Sequence, residues 1–335
     1  MSISPFRRYD SIKSRQAKSF SAAVQFQDDS YHILDIEIDN NGFETCQTGI
    51  CDFDQKQIAL FKYHEIPDFL KGNPYVVHGY RSLLPFSMCM KSLLFWTNET
   101  LNIWTHFLGF FIFLLLVLYD NIVYLPSLGG SLSDHIILTI GLMCFMFCML
   151  CSTGFHIFCC HSERASRRWL ALDMTGVSMG IIGCYLPAVY YAFYCLTIWR
   201  DIYMFIITVL SACTLMFQLH PHFFTHSWFF TRVAVYVGLS AYGIIPTIHW
   251  IYLNGGISSP VVQMFIPKVT MMYMLGSLAF SFYITKFPER ILPGKFDYIG
   301  SSHQLWHIII VVAFCYWHKS GEEILIYRMN HECPA

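Results

Sequence analysis

Two histidines four residues apart, His303 and His307 in the stretch GSSHQLWHIII, stand at the mouth of an apolar run. In an α-helix that spacing puts both imidazoles on one face about one turn apart, the arrangement for gripping a single metal ion. The alternative is a pair of interfacial residues hydrogen-bonded to water. The pair is not the zincin motif, because Gln304 stands where HExxH carries its glutamate. A third histidine, His156, ends a second apolar run, Asp173 lies four residues into a third, and Ser152 precedes His156 by one helical turn on the same face. Three histidines with an open fourth position form the ligand set of a catalytic zinc rather than of a closed structural one. Zinc would lower the pKa of its water and polarise a carbonyl, which suits hydrolysis of an amide or ester. Asp173, the intramembrane carboxylate best placed, would then serve as base or orient a ligand, and Ser152 would assist.

The elements that must bring these groups together are membrane helices. The chain has 335 residues, of which 55% are hydrophobic, 17% aromatic and only 13% charged, far from soluble norms. Its net charge of −1 and scattered Lys and Arg give no basic stripe, which argues against nucleic acid as a partner. Seven runs approach the length needed to cross hydrocarbon: 101–119, 135–158, 169–193, 202–219, 232–253, 261–285 and 302–318. The predicted fold is therefore an all-α membrane protein, a seven-transmembrane helix bundle. Pro187 and Pro246 fall inside spans, where neighbouring helices can re-satisfy the freed backbone.

Orientation follows from Lys and Arg, which accumulate in cytoplasmic loops. Arg164, Arg167, Arg168, Arg232, Lys286, Arg290 and Lys295 lie in the second, fourth and sixth connections, against Arg200 and Lys268 in the others. The N-terminus is thus expected in the cytoplasm and the C-terminus on the lumenal or extracellular side, opposite to a G-protein-coupled receptor. His156, Asp173, His303 and His307 then all reach the cytoplasmic end. Ionisable residues inside spans are costly and mark function by default.

The expected organisation is a disordered cytoplasmic region over 1–58, a juxtamembrane segment over 59–97, the seven-helix domain over 98–319 and a lumenal tail over 320–335. Residues 79–95 read as a helix lying in the interface. Residues 1–20 carry Arg7, Arg8, Lys13, Arg15 and Lys18 with no apolar core, so no signal peptide is expected there. The sequon at Asn98 would be unglycosylated on the cytoplasmic side, with Asn98 and Glu99 capping the first helix instead. His106 and His249 read as packed, hydrogen-bonded residues, and His220, His222 and His226 as solvated loop residues. A rival metal cluster of His156, Cys159, Cys160 and His161 is disfavoured, since adjacent cysteines chelate one ion poorly. Those two thiols read instead as membrane-edge residues open to palmitoylation. The thirteen cysteines show no disulfide-framework spacing.

The stretches NETLNIWTHFLGF (98–110), STGFHIFCCHSERASRRWLALDMTG (152–176), GSSHQLWH (300–307) and NPYVVHGYR (73–81) resemble the progestin and adipoQ receptor family, the adiponectin-receptor-like seven-span proteins. The resemblance implies zinc on His156, His303 and His307, contacted through water by Asp173, with Ser152 in the same constellation. Segments such as RRWLALD (167–173) and FPERILPGKFDYIGSSHQLWH (287–307) resemble a branch that holds Raf kinase at the Golgi membrane and dampens the mitogen-activated kinase cascade. Two function classes follow from the resemblance. A Golgi scaffold for Raf kinase stands narrowly first, and a zinc-dependent hydrolase of ceramide-like lipids second, with an adiponectin- or progestin-type receptor beside it. The Golgi is the expected location ahead of the plasma membrane, and membrane lipids are partners in every case.

Overall fold

A computed structural model describes residues 18–25, 31–38, 44–46 and 58–333, apart from positions 219, 221, 224, 225 and 332. In the N-terminal part three strands, β1 (Lys18–Gln25), β2 (Tyr31–Ile38) and β3 (Glu44–Cys46), form an antiparallel meander. Lys18 pairs with Ile38 and Gln25 with Tyr31, while Ile36 pairs with Cys46. This sheet departs from the expectation of disorder over 1–58. The alternation in ILDIEI (33–38) is the strand signal that the polar composition around it obscured. The rest of that stretch lies outside the described residues.

From residue 86 onward the chain is mainly helical, and the ends of the spans follow where apolar side chains meet turn chemistry. The first span combines α2 (Thr100–Tyr119), a π-helical turn at Asp120–Tyr124 and α3 (Leu125–Leu128), and it closes on Gly129 in the left-handed region. Before it lies α1 (Phe86–Lys91), a single short helix followed by a 3-10 turn at Ser92–Leu94. The interfacial helix expected over 79–95 is thus confined to its middle. Pro85 blocks extension toward the N-terminus, and Arg81 is drawn into the protein rather than left at the surface.

The second and third spans are α4 (Leu132–Phe158) and α5 (Glu163–Ala192), opened by side-chain caps from Ser131 and Ser162. The fourth is α6 (Thr197–Gln218). The fifth joins α7 (Phe229–Ala241) to α8 (Ile244–Leu253), and the sixth is α9 (Pro260–Thr285). These six spans are long and apolar enough to cross a membrane. The seventh, α10 (Ser302–Met329), continues well past the expected end at 318. Glu322 and Glu323 fall in the stretch expected as a tail, yet Glu322 is buried. With seven spans, the molecule is a seven-helix membrane bundle.

Large apolar side chains such as Leu115, Ile122 and Phe205 lie on the outside, 64%, 69% and 69% exposed, the pattern of a surface that meets lipid rather than water. Inside, Phe113, Leu142, Phe145, Met149 and Phe314 form one core cluster between α2, α4 and α10. Association in lipid relies on close packing, and small residues supply it. A Cβ on Gly183 would come within 2.8 Å of the Cys144 Cβ, and one on Gly180 within 2.7 Å of Phe314 Cζ. Gly154 on α4 lies under the ring of Trp169, where a Cβ would overlap it at 2.1 Å. These contacts fix the depth of α5 against α4, and hence of Asp173 against His156.

Cys195, between α5 and α6, is disulfide-bonded to Cys333 in the C-terminal tail. Sequence reading missed the pair because 138 residues separate its members and no spacing pattern announces them. Structural disulfides persist in oxidising compartments, so the bond puts this end of the bundle on the lumenal or extracellular side. That agrees with the Lys and Arg asymmetry, which assigns the opposite end to the cytoplasm.

On that cytoplasmic end the chain ahead of α2 is laced to the loop ahead of α10. Asp297 accepts from the backbone N–H groups of Val77 and His78 at 2.8 and 3.0 Å. Glu289 accepts from Asn73 Nδ2 at 2.9 Å and from the Ser302 N–H at 2.7 Å. The result is an ordered layer over the ends of α2, α4 and α10.

Candidate metal centre

Each histidine of the centre owes its place to a helix end. His156 lies in the last turn of α4, whose final carbonyls have no intrahelical partner. Arg81 supplies one: its guanidinium, 2% exposed, donates to the His156 carbonyl oxygen at 2.5 Å and to that of Ile157 at 3.4 Å. His303 and His307 occupy the first two turns of α10, which a capping box at Ser301 and Gln304 begins. Gln304 Oε1 accepts from the Gly300 and Ser301 N–H groups at 2.6 and 3.2 Å. The residue at the zincin glutamate position is therefore engaged at the helix start and does not face the histidines.

The three imidazoles meet through their Nε2 atoms. His303 Nε2 lies 3.3 Å from His156 Nε2 and 3.2 Å from His307 Nε2. A tetrahedral zinc with bonds of about 2.0–2.1 Å holds its ligand atoms roughly 3.3 Å apart, so the spacing fits that ion. The hydrogen-bond pattern points the same way. Glu99 Oε2 lies 2.7 Å from His156 Nδ1, and the Asn102 carbonyl oxygen lies 3.0 Å from His307 Nδ1. Both oxygens accept, so each Nδ1 donates and each Nε2 turns a lone pair inward. A proton on His303 Nε2 can satisfy only one of those two lone pairs. A cation satisfies all three nitrogens.

Glu99 is the residue of this candidate centre that sequence reading misassigned. It occupies the N-cap position of α2, but its side chain makes no cap hydrogen bond. Its carboxylate instead grips His156 and accepts from Asn102 Nδ2 at 2.6 Å. Burial opposes ionisation of Glu99, but His156, Asn102 and Arg81 outweigh it and hold the carboxyl down at about 2. A carboxylate behind a ligating imidazole fixes its tautomer and raises its basicity. Asn98, the other expected cap, is buried, 6% exposed, and its carboxamide Nδ2 donates to Glu99 Oε1 at 3.4 Å.

Asp173 and Ser152 flank the centre. Ser152 is 3% exposed on α4, and Asp173 on α5 stands beside it within electrostatic reach of His156. Asp173 is not among the atoms that converge within 4.8 Å, which only the three histidines supply here. It can therefore act on the centre only across a gap.

The remaining histidines sort themselves by contact. His106 is packed as expected, its ring stacked on His307 at a centroid distance of 3.7 Å. It is not hydrogen-bonded, since neither ring nitrogen has a partner. His249 does receive the expected polar contact, from Tyr203 Oη at 2.7 Å. The rival cluster disperses: His161 Nδ1 bonds to the Leu84 carbonyl oxygen at 2.9 Å, and Cys160 Sγ lies 3.7 Å from Cys89 Sγ. Cys159 and Cys160 are 8% and 2% exposed, which overturns their reading as thiols open to palmitoylation. They pack beneath the α1 segment, a fold that their position just beyond a span did not reveal.

Comparison with known proteins agrees with this architecture. The haemolysin-III related family matches residues 94–318. The human "Progestin and adipoQ receptor family member 3" is 49% identical over 278 residues, covering 83% of this chain and 89% of that protein. "Progestin and adipoQ receptor-like protein 1" of Caenorhabditis elegans is 32% identical over 303 residues, with coverages of 90% and 69%. The "Adiponectin receptor protein" of Drosophila melanogaster is 32% identical over 277 residues, with coverages of 82% and 61%. With the matched region spanning all seven helices up to residue 318, the chain belongs to the progestin and adipoQ receptor family of multi-pass membrane proteins.

Proposed function

We propose that this protein binds zinc through His156, His303 and His307 and hydrolyses an amide lipid of the ceramide type at the cytoplasmic end of the bundle. The observation that carries the reading is the convergence of three Nε2 atoms with the Nδ1 atoms of His156 and His307 already engaged. When bound, zinc supplies a Lewis acid for the amide carbonyl and an acidified water. The chain's own residues do the rest. Asp173 takes up the proton of the attacking water and returns it to the leaving amine, while Ser152 keeps its carboxylate aimed at the centre. Glu99 and the Asn102 carbonyl hold two of the imidazoles in register. Apolar helices admit the acyl chains from the bilayer, and the layer built by Asp297 and Glu289 limits entry of bulk water from the cytosol.

The test is direct. Full-length protein in detergent or nanodiscs is assayed for bound zinc and for fatty acid released from N-acyl sphingoid lipids. Asp173→Asn is expected to keep its zinc and lose at least a hundredfold in rate, a general acid–base contribution. His303→Ala is expected to lose both. Zinc-loaded wild type that releases no fatty acid from any amide lipid sinks the reading.

The scaffold reading is favoured by a different observation, the ordered cytoplasmic layer with Phe86, Leu94 and Trp96 at its edge, 58%, 85% and 52% exposed. In that reading the layer and the segment before it hold Raf kinase on the Golgi membrane, and zinc supports the fold. Cells expressing Asp173→Asn and a variant lacking residues 1–57 separate the two. Raf held on Golgi membranes by the first variant and released by the second supports the scaffold.

A further inference from the structure

A second cluster of ligand-type side chains lies on α10 far from the histidine triad. His318 and Glu322 are one turn apart on one face of α10, and Asp120 opens the π-helical turn that ends α2. All three are buried, at 6%, 4% and 1% exposure, and one ligand atom from each lies within 4.8 Å of the others. His318 follows His303 by fifteen residues, about 22 Å along a helix axis, so the two clusters sit near opposite membrane faces and cannot share an ion.

The hydrogen bonding of the cluster is incomplete in a way that points to a cation. Asp120 has no hydrogen-bond partner for either carboxylate oxygen, and His318 Nε2 has none. Yet Nε2 lies 3.1 Å from Asp120 Oδ2 and 3.3 Å from Glu322 Oε1. A single N–H can point at one oxygen at a time, and this nitrogen is aligned with neither. One ion at their common focus takes all three. Glu322 is already oriented for that, because Lys319 Nζ holds its other oxygen at 2.6 Å, as an outer partner holds a ligating carboxylate.

Charge supplies the second argument. Lys319 balances one of the two buried carboxylates, and the other needs either a proton on His318 or a bound cation. A buried unpaired charge is costly, and a divalent cation removes that cost. A cavity of about 370 Å³, lined by Tyr119, Tyr124, His318, Lys319 and Glu322 among others, adjoins the cluster and gives room for water to complete a coordination shell. Tyr124 Oη in its wall is buried without a partner. Single π turns inside helices are also frequent at functional sites.

We propose that Asp120, His318 and Glu322 form a second metal site, for a divalent first-row transition ion such as Zn²⁺ or Mn²⁺, near the lumenal or extracellular face. One imidazole with two carboxylates suits such borderline ions better than Ca²⁺, which prefers six or more oxygens. The ion ties the end of the first span to α10, independently of the triad.

Full-length protein in detergent is stripped with chelator, dialysed against Zn²⁺ and counted by plasma mass spectrometry. Wild type is expected to hold two equivalents, and Asp120→Asn and Glu322→Gln one each. His303→Ala is expected to hold one, which the added Asp120→Asn removes. Zn²⁺ is also expected to raise the thermal midpoint of His303→Ala protein. Wild type holding no equivalent that Asp120→Asn removes overturns the proposal, as does a His303→Ala midpoint that Zn²⁺ leaves unchanged, the result for a cluster that holds only a proton. If Asp120→Asn aggregates, Glu322→Gln replaces it in both comparisons, and a count equal to that of its parent protein overturns the site.

Discussion

Glu99→Gln is the sharpest probe of the triad, because it changes one atom type behind His156 and alters none of the three histidines. The Glu99 carboxylate accepts from His156 Nδ1 at 2.7 Å and from Asn102 Nδ2 at 2.6 Å through the same oxygen, Oε2. A carboxamide of identical shape can keep those two bonds only with its oxygen at that position, and it loses the negative charge that makes them strong. Turned the other way, its NH₂ group confronts two donors. Loss of such an outer partner costs 10- to 100-fold in metal affinity, about 1.4–2.8 kcal/mol. The assay is competition for Zn²⁺ between the purified protein and a fluorescent chelator at neutral pH. Glu163→Gln serves as control, since its ion pair with Arg167 is exposed and its removal should leave zinc affinity unchanged. A Glu99→Gln affinity within twofold of wild type would refute the argument that this carboxylate sets the His156 tautomer.

Three further outcomes test the architecture around the site. Gly180→Leu forces a side chain into the ring of Phe314, whose Cζ is 2.7 Å from where a Cβ would stand, and should cost about 1–3 kcal/mol of stability, read as a lowered thermal midpoint in detergent. An unchanged midpoint would mean that α5 and α10 are not packed this closely. Cys195→Ser opens a 138-residue loop and should cost about 2–4 kcal/mol. On non-reducing gels the wild type should migrate faster than its reduced form, and this variant should show no such difference. Glu289→Ala frees the partly buried Asn73 carboxamide and leaves the buried Ser302 N–H without its acceptor, at a cost of about 1–3 kcal/mol. Because His303 is the next residue along α10, zinc affinity should fall with it, and an unaffected affinity would separate the loop from the site.

The spans were legible because lipid leaves few options. Every backbone group must be satisfied within a helix, so length and apolar content alone mark the segments, and the Lys and Arg count orients them. What stayed hidden depended on partners distant in sequence. Glu322 and Glu323 fall in the stretch expected as a tail, whereas Glu322 is buried inside the bundle with one oxygen held by Lys319, and α10 runs on to Met329. Arg81 lies in the segment expected at the interface, yet it bridges 75 residues to the end of α4. The Cys195–Cys333 pair joins a loop to the tail, and nothing local to either cysteine reports the other.

The candidate site divides along the same line. Three histidines could be brought together on paper because membrane topology converts sequence position into depth, and His156, His303 and His307 fall at one depth. Depth, however, says nothing about rotation around a helix axis, and rotation decides what stands behind each imidazole. Glu99 shows the consequence. It looked like a cap because acidic residues before a helix usually complement its N-terminus. In the folded protein the α2 start is served by Thr97 Oγ1, which accepts from the Glu99 N–H at 3.2 Å, and this frees the Glu99 carboxylate to turn toward α4. The local clue was Asn102, one turn on from Glu99: its carboxamide holds that carboxylate, and its carbonyl holds His307. A single turn of α2 therefore sets the tautomers of two imidazoles that come from two other helices. That coupling makes the first turn of α2, rather than the histidine-bearing helices alone, the element on which the chemistry of the centre depends.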